Sequence, residues 1–399
     1  MKIGIAGPVS LGCLRPWLSQ DASLPPVYSF PLIGRLAAAL LDRQHEVTVF
    51  AGSDQITSPQ RIEGRGLRIL ICPRRPRRNS YDFYAAERSS LAAVMRDSGC
   101  ALIHAHWCYE FAAAAQTSSL PHLITAHDCP NQIAGYFRWT SAFPHWFFRS
   151  LLGRRVCRQA RFLTCVSPYV AEHLRSLLRP GSSLTMIPNG VPIGLFHRGE
   201  QRLKIPAPSS PFRLATVLEG FGERKNAKTA LLAFQLFSRH CPEAELWMFG
   251  GDFEKGGPAE TWARSQGISA KVFFYGHTPQ AELHRLLVDK VSVLLHPALS
   301  ESHPMAVVEA MAMGIPVIGG KSSGGVPYTL GDGQAGILTN VQDPSELAQS
   351  MELMRNDTSH RQRLAQEGWS RARRLFTEDT MVEQYLAEYH KVLGRREPS

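Results

Sequence analysis

Among the 8 cysteines of this 399-residue sequence, at positions 13, 72, 100, 108, 129, 157, 165 and 241, there is no CxxC pair. Spacing of this kind makes neither a disulfide framework nor a zinc site, and reduced thiols in a cytosolic chain are expected. No apolar run nears the roughly 20 residues a membrane helix needs, so the chain reads as soluble or at most peripheral. The opening MKIGIAGPVS lacks the regions of a signal peptide and reads as a strand entering a Gly/Pro turn. Short repeats and low-complexity tracts are missing too. With 44% hydrophobic and 20% charged residues, a disordered or fibrous chain is excluded.

What is present is length and an uneven charge. The chain exceeds one ordinary core, so two domains are expected. It carries 44 Lys+Arg against 34 Asp+Glu, a net charge of +10. Residues 1–200 hold 22 of those basic and 12 of those acidic residues, so the excess lies wholly in the N-terminal half. Such a lobe suits an anionic membrane, an anionic acceptor or nucleic acid, or is simply a solvated basic face.

Short β-rich runs at 3–6, 46–50, 67–71, 101–104, 123–126 and 162–166 alternate with helical patterns such as 32–43 and 81–97. A second series runs through 212–218, 246–250, 272–275, 291–296, 317–319 and 336–338, after the Pro/Ser segment PAPSSP at 206–211. Alternation of this sort implies βαβ units and parallel sheets. Two doubly wound domains are expected, 1–198 and 199–375, with ligands at the C-terminal strand ends. The tail 376–393 has an amphipathic helical pattern, with Met381, Tyr385, Tyr389 and Val392 on one face.

The strongest chemical signal is HPALSESHPMAVVEAMAMGIPVIGG, residues 296–320. A strand, a polar turn and a helix opening around Ser302–His303 are expected, with Pro304 in the first turn and Gly314 and Pro316 as the stop. Such a helix start offers free N–H groups to an anion such as a diphosphate. Glu301 and Glu309, eight positions apart, span roughly 12 Å of helix. The carboxyls of a retaining glycosidase stand about 5 Å apart, so this pair instead suits two grips on one elongated ligand.

This segment resembles the E-x7-E region of the retaining, GT-B-fold glycosyltransferases of family 4. ALIHAHW (101–107), ITAHD (124–128), CVSPYVAEHL (165–174), MIPNGV (186–191), ERKNAKTALLAF (223–234), LWMFGGD (246–252) and FFYGHTPQAEL (273–283) follow in that family's order. The resemblance implies an α/β chain of two Rossmann-like domains facing across a cleft, with the tail (376–395) crossing back onto the first. It implies transfer of a sugar from a nucleotide-sugar donor, UDP- or GDP-linked, to a saccharide or lipid-linked saccharide, in polysaccharide or glycolipid biosynthesis. The donor is a substrate, and no resident cofactor or metal is implied; no DxD motif occurs.

By the same resemblance, Glu301 holds donor-sugar hydroxyls, Glu309 the ribose, and Lys225 neutralises the departing diphosphate. His127 faces the donor sugar. Gly276 and His277 touch the base through backbone groups, and Met305 and Ala306 offer N–H groups to sugar or phosphate. Two positions depart from the family. Its Gly-Gly turn before the first helix is replaced by SLPPVYSFP (23–31), with Gly12 the nearest alternative, and its basic pair is incomplete because position 220 is Gly. Arg224 substitutes there, or Lys225 acts alone.

Other features leave alternatives open. Trp107 and Glu110, just past a strand end, line an acceptor site or pack the core. His104 and His106 share a strand face and form a metal pair only if a third ligand joins them. Residues 135–162 interleave aromatics with Arg149, Arg154, Arg155, Arg158 and Arg161, as a membrane-facing helix or as one packed on the sheet. The cluster RRPRR (74–78) does not by itself make a nucleic-acid interface, and no such partner is expected. Two other functions fit the sequence less well. Gly4, Gly7 and Gly12 form no GxGxxG, and no acid follows Phe50-Ala51-Gly52, which disfavours an NAD-dependent dehydrogenase. A non-catalytic adaptor of the same fold is disfavoured by intact Glu301, Glu309, Lys225 and His127. The basic half is thus read as the acceptor side, peripheral to the inner face of a plasma membrane.

Overall fold

A computed structural model describes residues 1–76, 79–205, 211–268 and 270–394. All but the last residue of the expected linker at 206–211 lies outside these described residues. So do the last two arginines of the cluster at 74–78 and the last residue of the expected tail. The chain divides into two units, one of Met1–Gly190 with the chain from Glu378, the other Val191–Thr377. The division falls before the expected position 198 because the helix Ile193–Leu203 buries Leu195 and Phe196 in the core of the second unit.

Among the described residues the first unit holds eight strands: β1 (Lys2–Ala6), β2 (Glu46–Ser53), β3 (Gln60–Gly64), β4 (Leu67–Pro73), β5 (Leu102–His106), β6 (His122–Ala126), β7 (Phe162–Cys165) and β8 (Ser183–Met186). Their order is β3-β4-β2-β1-β5-β6-β7-β8. Among the described residues only β3 and β4 pair antiparallel; the other neighbours are parallel. Ile3, Ile5, Val47, Val49, Ile103 and Ile124 are buried, as expected of strands covered on both faces. The second unit has six parallel strands, β9 (Arg213–Val217), β10 (Glu245–Phe249), β11 (Val272–Gly276), β12 (Val293–His296), β13 (Val317–Gly320) and β14 (Ile337–Thr339), in the order β11-β10-β9-β12-β13-β14. Chain order therefore reverses between β1 and β5 in one unit and between β9 and β12 in the other. Open α/β sheets bind ligands at such switch points.

The last helix, Glu378–Val392, packs Met381, Val382, Tyr385 and Tyr389 among Ile3, Ile5 and Leu123 of the first unit. Burial of Met381 and Val382 stabilises this docking by about 1.5–3 kcal/mol each. Arg35 hydrogen-bonds Glu378, and Arg43 pairs with Asp379 at 2.6 Å. No described helix is long and apolar enough to cross a membrane.

Three expected elements are corrected. The helix placed at Ser302–His303 begins at Met305, because Glu301 is bridged in extended form to Gly324 and its carbonyl accepts the Gly325 N–H at 2.7 Å. The helix placed at 81–97 is Ala85–Arg96, since Phe83 and Tyr84 have φ of 56° and 59° and separate it from the turn Asn79–Asp82. The strand placed at 101–104 runs on to His106, which puts that histidine at its very end.

Candidate active site

In the second unit, the loop leaving β9 folds into a short turn, Glu223–Lys225, and the loop leaving β12 carries Glu301. Asn226 closes the turn in the left-handed conformation, φ 54°, which asparagine tolerates better than most residues. Its Nδ2 donates to the carbonyls of Pro297 at 3.0 Å and Val341 at 2.7 Å, tying the two loops together. The Leu299 N–H donates to the Arg224 carbonyl, and the Arg224 guanidinium donates to the Ser300 carbonyl at 3.0 Å.

Held this way, Lys225 Nζ donates to Glu301 Oε1 at 2.6 Å, and Arg224 lies 3.6 Å from Oε2. Burial pushes the Glu301 carboxyl up. The charges of Lys225 and Arg224 and the Lys225 hydrogen bond, joined by His296 where it is protonated, outweigh it, so the group lies below its ordinary range and stays ionised. His296, the last residue of β12, has its Nε2 3.7 Å from Glu301 Oε1, and neither ring nitrogen makes a hydrogen bond among the described residues. Burial, joined by Lys225 and Arg224 and opposed by Glu301, pulls it down to about 4, so it is neutral near pH 7. The sequence reading missed His296; its place at the end of the strand feeding the Glu301 turn was the available signal. His303, between Phe376 and Tyr328, is likewise without a hydrogen bond and is pulled by burial to about 3.

Glu309 lies in the helix Met305–Ala312 and accepts from His284 Nε2 at 3.2 Å, with Gln280 Nε2 at 3.5 Å. Both partners sit on the helix Gln280–Lys290 and were not singled out in the sequence. Met305 and Ala306 open their helix, and the Val307 and Val308 N–H groups turn back to Pro304. The first N–H groups of a helix have no intrahelical acceptor, so those of Met305 and Ala306 point to whatever lies beyond it. Gly276 ends the edge strand β11 with φ +67°, where a Cβ would stand 2.7 Å from Glu254. His277, beside it, is exposed. With β10 between them and β9, these two stand apart from the Lys225–Glu301 group.

In the first unit, the residues past β5 and β6 form a stack of rings. His106 Nδ1 lies 2.9 Å from His127 Nε2, and the Trp107 ring lies 4.5 Å from that of His127. Trp107 has φ 64°, a conformation costing about 1–3 kcal/mol in a non-glycine residue and often found at functional sites. His104 uses both nitrogens, Nδ1 with the Tyr389 hydroxyl and Nε2 with Thr125 Oγ1, each at 2.7 Å. The weighed metal pair His104/His106 is therefore not formed; the shared strand face serves a hydrogen-bonded ladder instead.

Four residues past β5, Glu110 begins the helix Glu110–Ser118 and is buried, with both carboxylate oxygens lacking a hydrogen bond among the described residues. The Arg149 guanidinium stands 3.8 Å from it, donates to the Tyr84 hydroxyl at 2.9 Å and lies 3.7 Å over the Tyr109 ring. Arg149 thus faces inward, unlike the exposed Arg155 and Arg158 of the same helix. Gly12 is exposed in the turn Leu11–Trp17, where nothing within 4 Å would obstruct a Cβ. The close approach at this sheet edge is made by Gly7, whose Cβ would meet His106 Cβ at 3.1 Å.

Residues 32–195 match the family model described as Glycosyltransferase Family 4, and residues 200–371 match Glycosyl transferases group 1. A D-inositol 3-phosphate glycosyltransferase of Corynebacterium kroppenstedtii is 29% identical over 199 residues, 48% of this chain and 42% of that one. A GDP-mannose-dependent alpha-(1-6)-phosphatidylinositol monomannoside mannosyltransferase of Mycolicibacterium smegmatis is 27% identical over 208 residues, 48% of this chain and 52% of that one. The chain thus spans about half the length of these curated relatives. Among solved structures, a sucrose-phosphate synthase of Thermosynechococcus elongatus superimposes with a TM-score of 0.77 at 19% identity, over 98% of this chain and 99% of that one. That likeness shows the fold, two parallel-sheet α/β domains of the GT-B type.

Proposed function

We propose that the chain, which matches Glycosyltransferase Family 4 over residues 32–195 and Glycosyl transferases group 1 over residues 200–371, is a retaining transferase acting on a nucleotide sugar. The donor is UDP- or GDP-linked, and the acceptor is a saccharide or lipid-linked saccharide destined for a glycolipid or polysaccharide. The observation that carries this reading is the meeting of Lys225, Arg224 and Glu301 at the β9/β12 switch point, cations beside an ionised carboxylate. The names of the two relatives, one GDP-mannose-dependent and both acting on inositol derivatives, support a donor and an acceptor of these classes. A non-catalytic adaptor would have no use for such a cluster.

In the proposed step, the acceptor hydroxyl approaches the anomeric carbon on the face from which the diphosphate departs. The carbon–oxygen bond to phosphate breaks, the new glycosidic bond forms, and the leaving phosphate takes the hydroxyl proton. Lys225 and Arg224 meet the charge that grows on the diphosphate. Glu301 orients sugar hydroxyls, Glu309 the ribose, Met305 and Ala306 the phosphate or sugar, and Gly276 and His277 the base. His127 hydrogen-bonds the transferred sugar, while Gly12, Trp107 and Glu110 belong to the acceptor. Positioning then supplies much of the rate. No resident metal or cofactor takes part in this reading, nor does nucleic acid.

Trp139 is 90% exposed, and Phe147 and Leu151 are exposed on the helix that also exposes Arg155 and Arg158. This mixture supports contact between the basic unit and the anionic inner face of a plasma membrane. The function is tested by thermal shift and turnover with UDP-, GDP- and ADP-sugars. A donor at 100 times its Kd adds about 2.7 kcal/mol. Donor hydrolysis or transfer is expected with one nucleotide class and should collapse in Glu301→Ala; full activity in that variant would sink the site.

A further inference from the structure

Glu301 Oε1 faces two donors of unlike reach, both in the second unit. Lys225 Nζ donates to it at 2.6 Å, and His296 Nε2 stands 3.7 Å away, short of a hydrogen bond. A carboxylate oxygen has room for both. The lysine ammonium sits at the end of a flexible four-carbon stem, on the turn Glu223–Lys225. His296 is fixed instead. It is 2% exposed, its backbone pairs with Gly319 in the sheet, and Pro297 after it confines it to extended geometry. The Pro297 carbonyl is in turn held by Asn226.

Among the described residues neither nitrogen of His296 has a hydrogen bond. Buried polar groups left in that state are few in folded proteins and call for a reason. Burial pulls the ring to about 4, so near pH 7 it carries a single ring proton. On Nδ1 that proton would be an N–H without an acceptor, and the bare Nε2 lone pair would face an ionised carboxylate. On Nε2 the proton faces the carboxylate, which attracts it. The second arrangement is favoured on both counts.

We propose that His296 is a positioning residue whose Nε2–H takes over Glu301 Oε1 when a diphosphate draws Lys225 away. A diphosphate carries more negative charge than one carboxylate and so competes for the ammonium. Glu301 then loses the lysine hydrogen bond just as its aim on the sugar matters most. A turn of its side chain closes the 3.7 Å separation by the roughly 0.8 Å that a hydrogen bond to His296 requires. Arg224, tied to the Ser300 carbonyl, stays by Oε2. The diphosphate rests on the function proposed above; the tautomer and the reach of His296 do not.

The test uses the full chain labelled with 15N-histidine, and long-range 1H–15N spectra assigned with His296→Gln. Without ligand, His296 is expected to show a protonated Nε2 and a bare Nδ1; a protonated Nδ1 overturns the proposal. Lys225→Met withdraws the ammonium without any ligand, and should move the Nε2 proton downfield as the new hydrogen bond forms. Saturating the native chain with UDP, GDP or ADP, whichever binds by thermal shift, should do the same. A proton unmoved in Lys225→Met, or unmoved on binding, overturns the exchange. A proton that moves in Lys225→Met, in a chain that binds none of the three nucleotides, supports the second donor and overturns the donor class proposed above. In turnover, His296→Gln, whose amide N–H can reach the same oxygen, should stay within a few-fold of native. His296→Phe, with a ring but no donor, should lose about 10²-fold in kcat at unchanged donor KM. Equal losses in the two variants would reduce His296 to packing and overturn the proposal.

Discussion

Two carboxylates, one half-buried and one buried, occupy matching places in the two units. Glu301 follows β12 and Glu110 follows β5, each just past a strand at the switch point of its own sheet, and each beside an arginine. Their surroundings differ. Glu301 accepts from Lys225 at 2.6 Å, and neighbouring charge holds it ionised. Glu110 stands 3.8 Å from Arg149 with neither oxygen hydrogen-bonded. A buried carboxylate is costly unless paired and hydrogen-bonded. The first carboxylate thus has its hydrogen bond and its cations in place, whereas the second keeps two oxygens without a hydrogen bond among the described residues, both shielded from solvent. Under the proposed function, the contrast puts chemistry on the first carboxylate and an acceptor-side role on the second.

The largest effect should come from the first carboxylate. Glu301→Gln keeps the shape of the side chain and removes its charge, which strands Lys225 and frees the sugar hydroxyls. Turnover should fall on the order of 10²- to 10³-fold, as for the loss of one preorganised transition-state contact. Glu110→Gln should instead raise acceptor KM and leave donor hydrolysis within a few-fold. If the two variants behave alike in steady-state assays, the contrast between the carboxylates is wrong.

Stability should divide the other way. Arg149→Met leaves Glu110 buried without its cation, and breaking a buried pair from one side costs about 3–5 kcal/mol. Adding Glu110→Gln should recover much of that, so the double-mutant cycle in urea unfolding reads a strong coupling. Independent effects would show that Glu110 draws its compensation from elsewhere.

Acid should act on the second unit through two histidines. His296 and His303 titrate at about 4 and about 3 when folded, against 6.5 as free side chains. Between those values the unfolded chain binds more protons than the folded one, so stability rises with pH up to about 6.5 and falls as pH drops toward 4. At pH 5 the loss is about 2 kcal/mol for each. His303→Phe, which suits the ring stack with Phe376 and Tyr328, should remove one share. The measurement is Tm from pH 7.5 to 4.5, and an unchanged slope in the variant would break the argument.

Much of the donor side was legible because its residues lie close along the chain. ERKN and the segment from Glu301 to Glu309 are local patterns, and strand–turn–helix logic brings their turns to one edge of a sheet. What escaped depends on long-range pairing. His284 reaches Glu309 from another helix, and Arg149 meets Glu110 through a turn of orientation that a run of arginines does not announce. His104 and His106 were visible as an alternating pair, but their partners Tyr389 and Thr125 come from far along the chain, and so a metal was weighed where a hydrogen-bond ladder stands. The start of the helix after Glu301 was misplaced because Gly324 and Gly325, which hold that glutamate extended, lie more than twenty residues away.

The smallest expected effect on stability separates exposed from buried aromatics of the first unit. Tyr109 lies under Arg149 and is part of the core, whereas Trp139 is 90% exposed and its ring contacts the Arg138 guanidinium at 5.1 Å. Trp139→Ser should therefore change stability by no more than about 0.5 kcal/mol. An exposed indole beside basic residues gains most where water meets lipid, because its ring is partly apolar and the arginines attract anionic headgroups. Vesicles of anionic lipid should bind the native chain and release it as salt rises, and Trp139→Ser with Phe147→Ser should weaken that binding without altering donor hydrolysis. Equal binding by native and variant chains would remove the aromatic face from the account and leave the +10 charge to the acceptor alone.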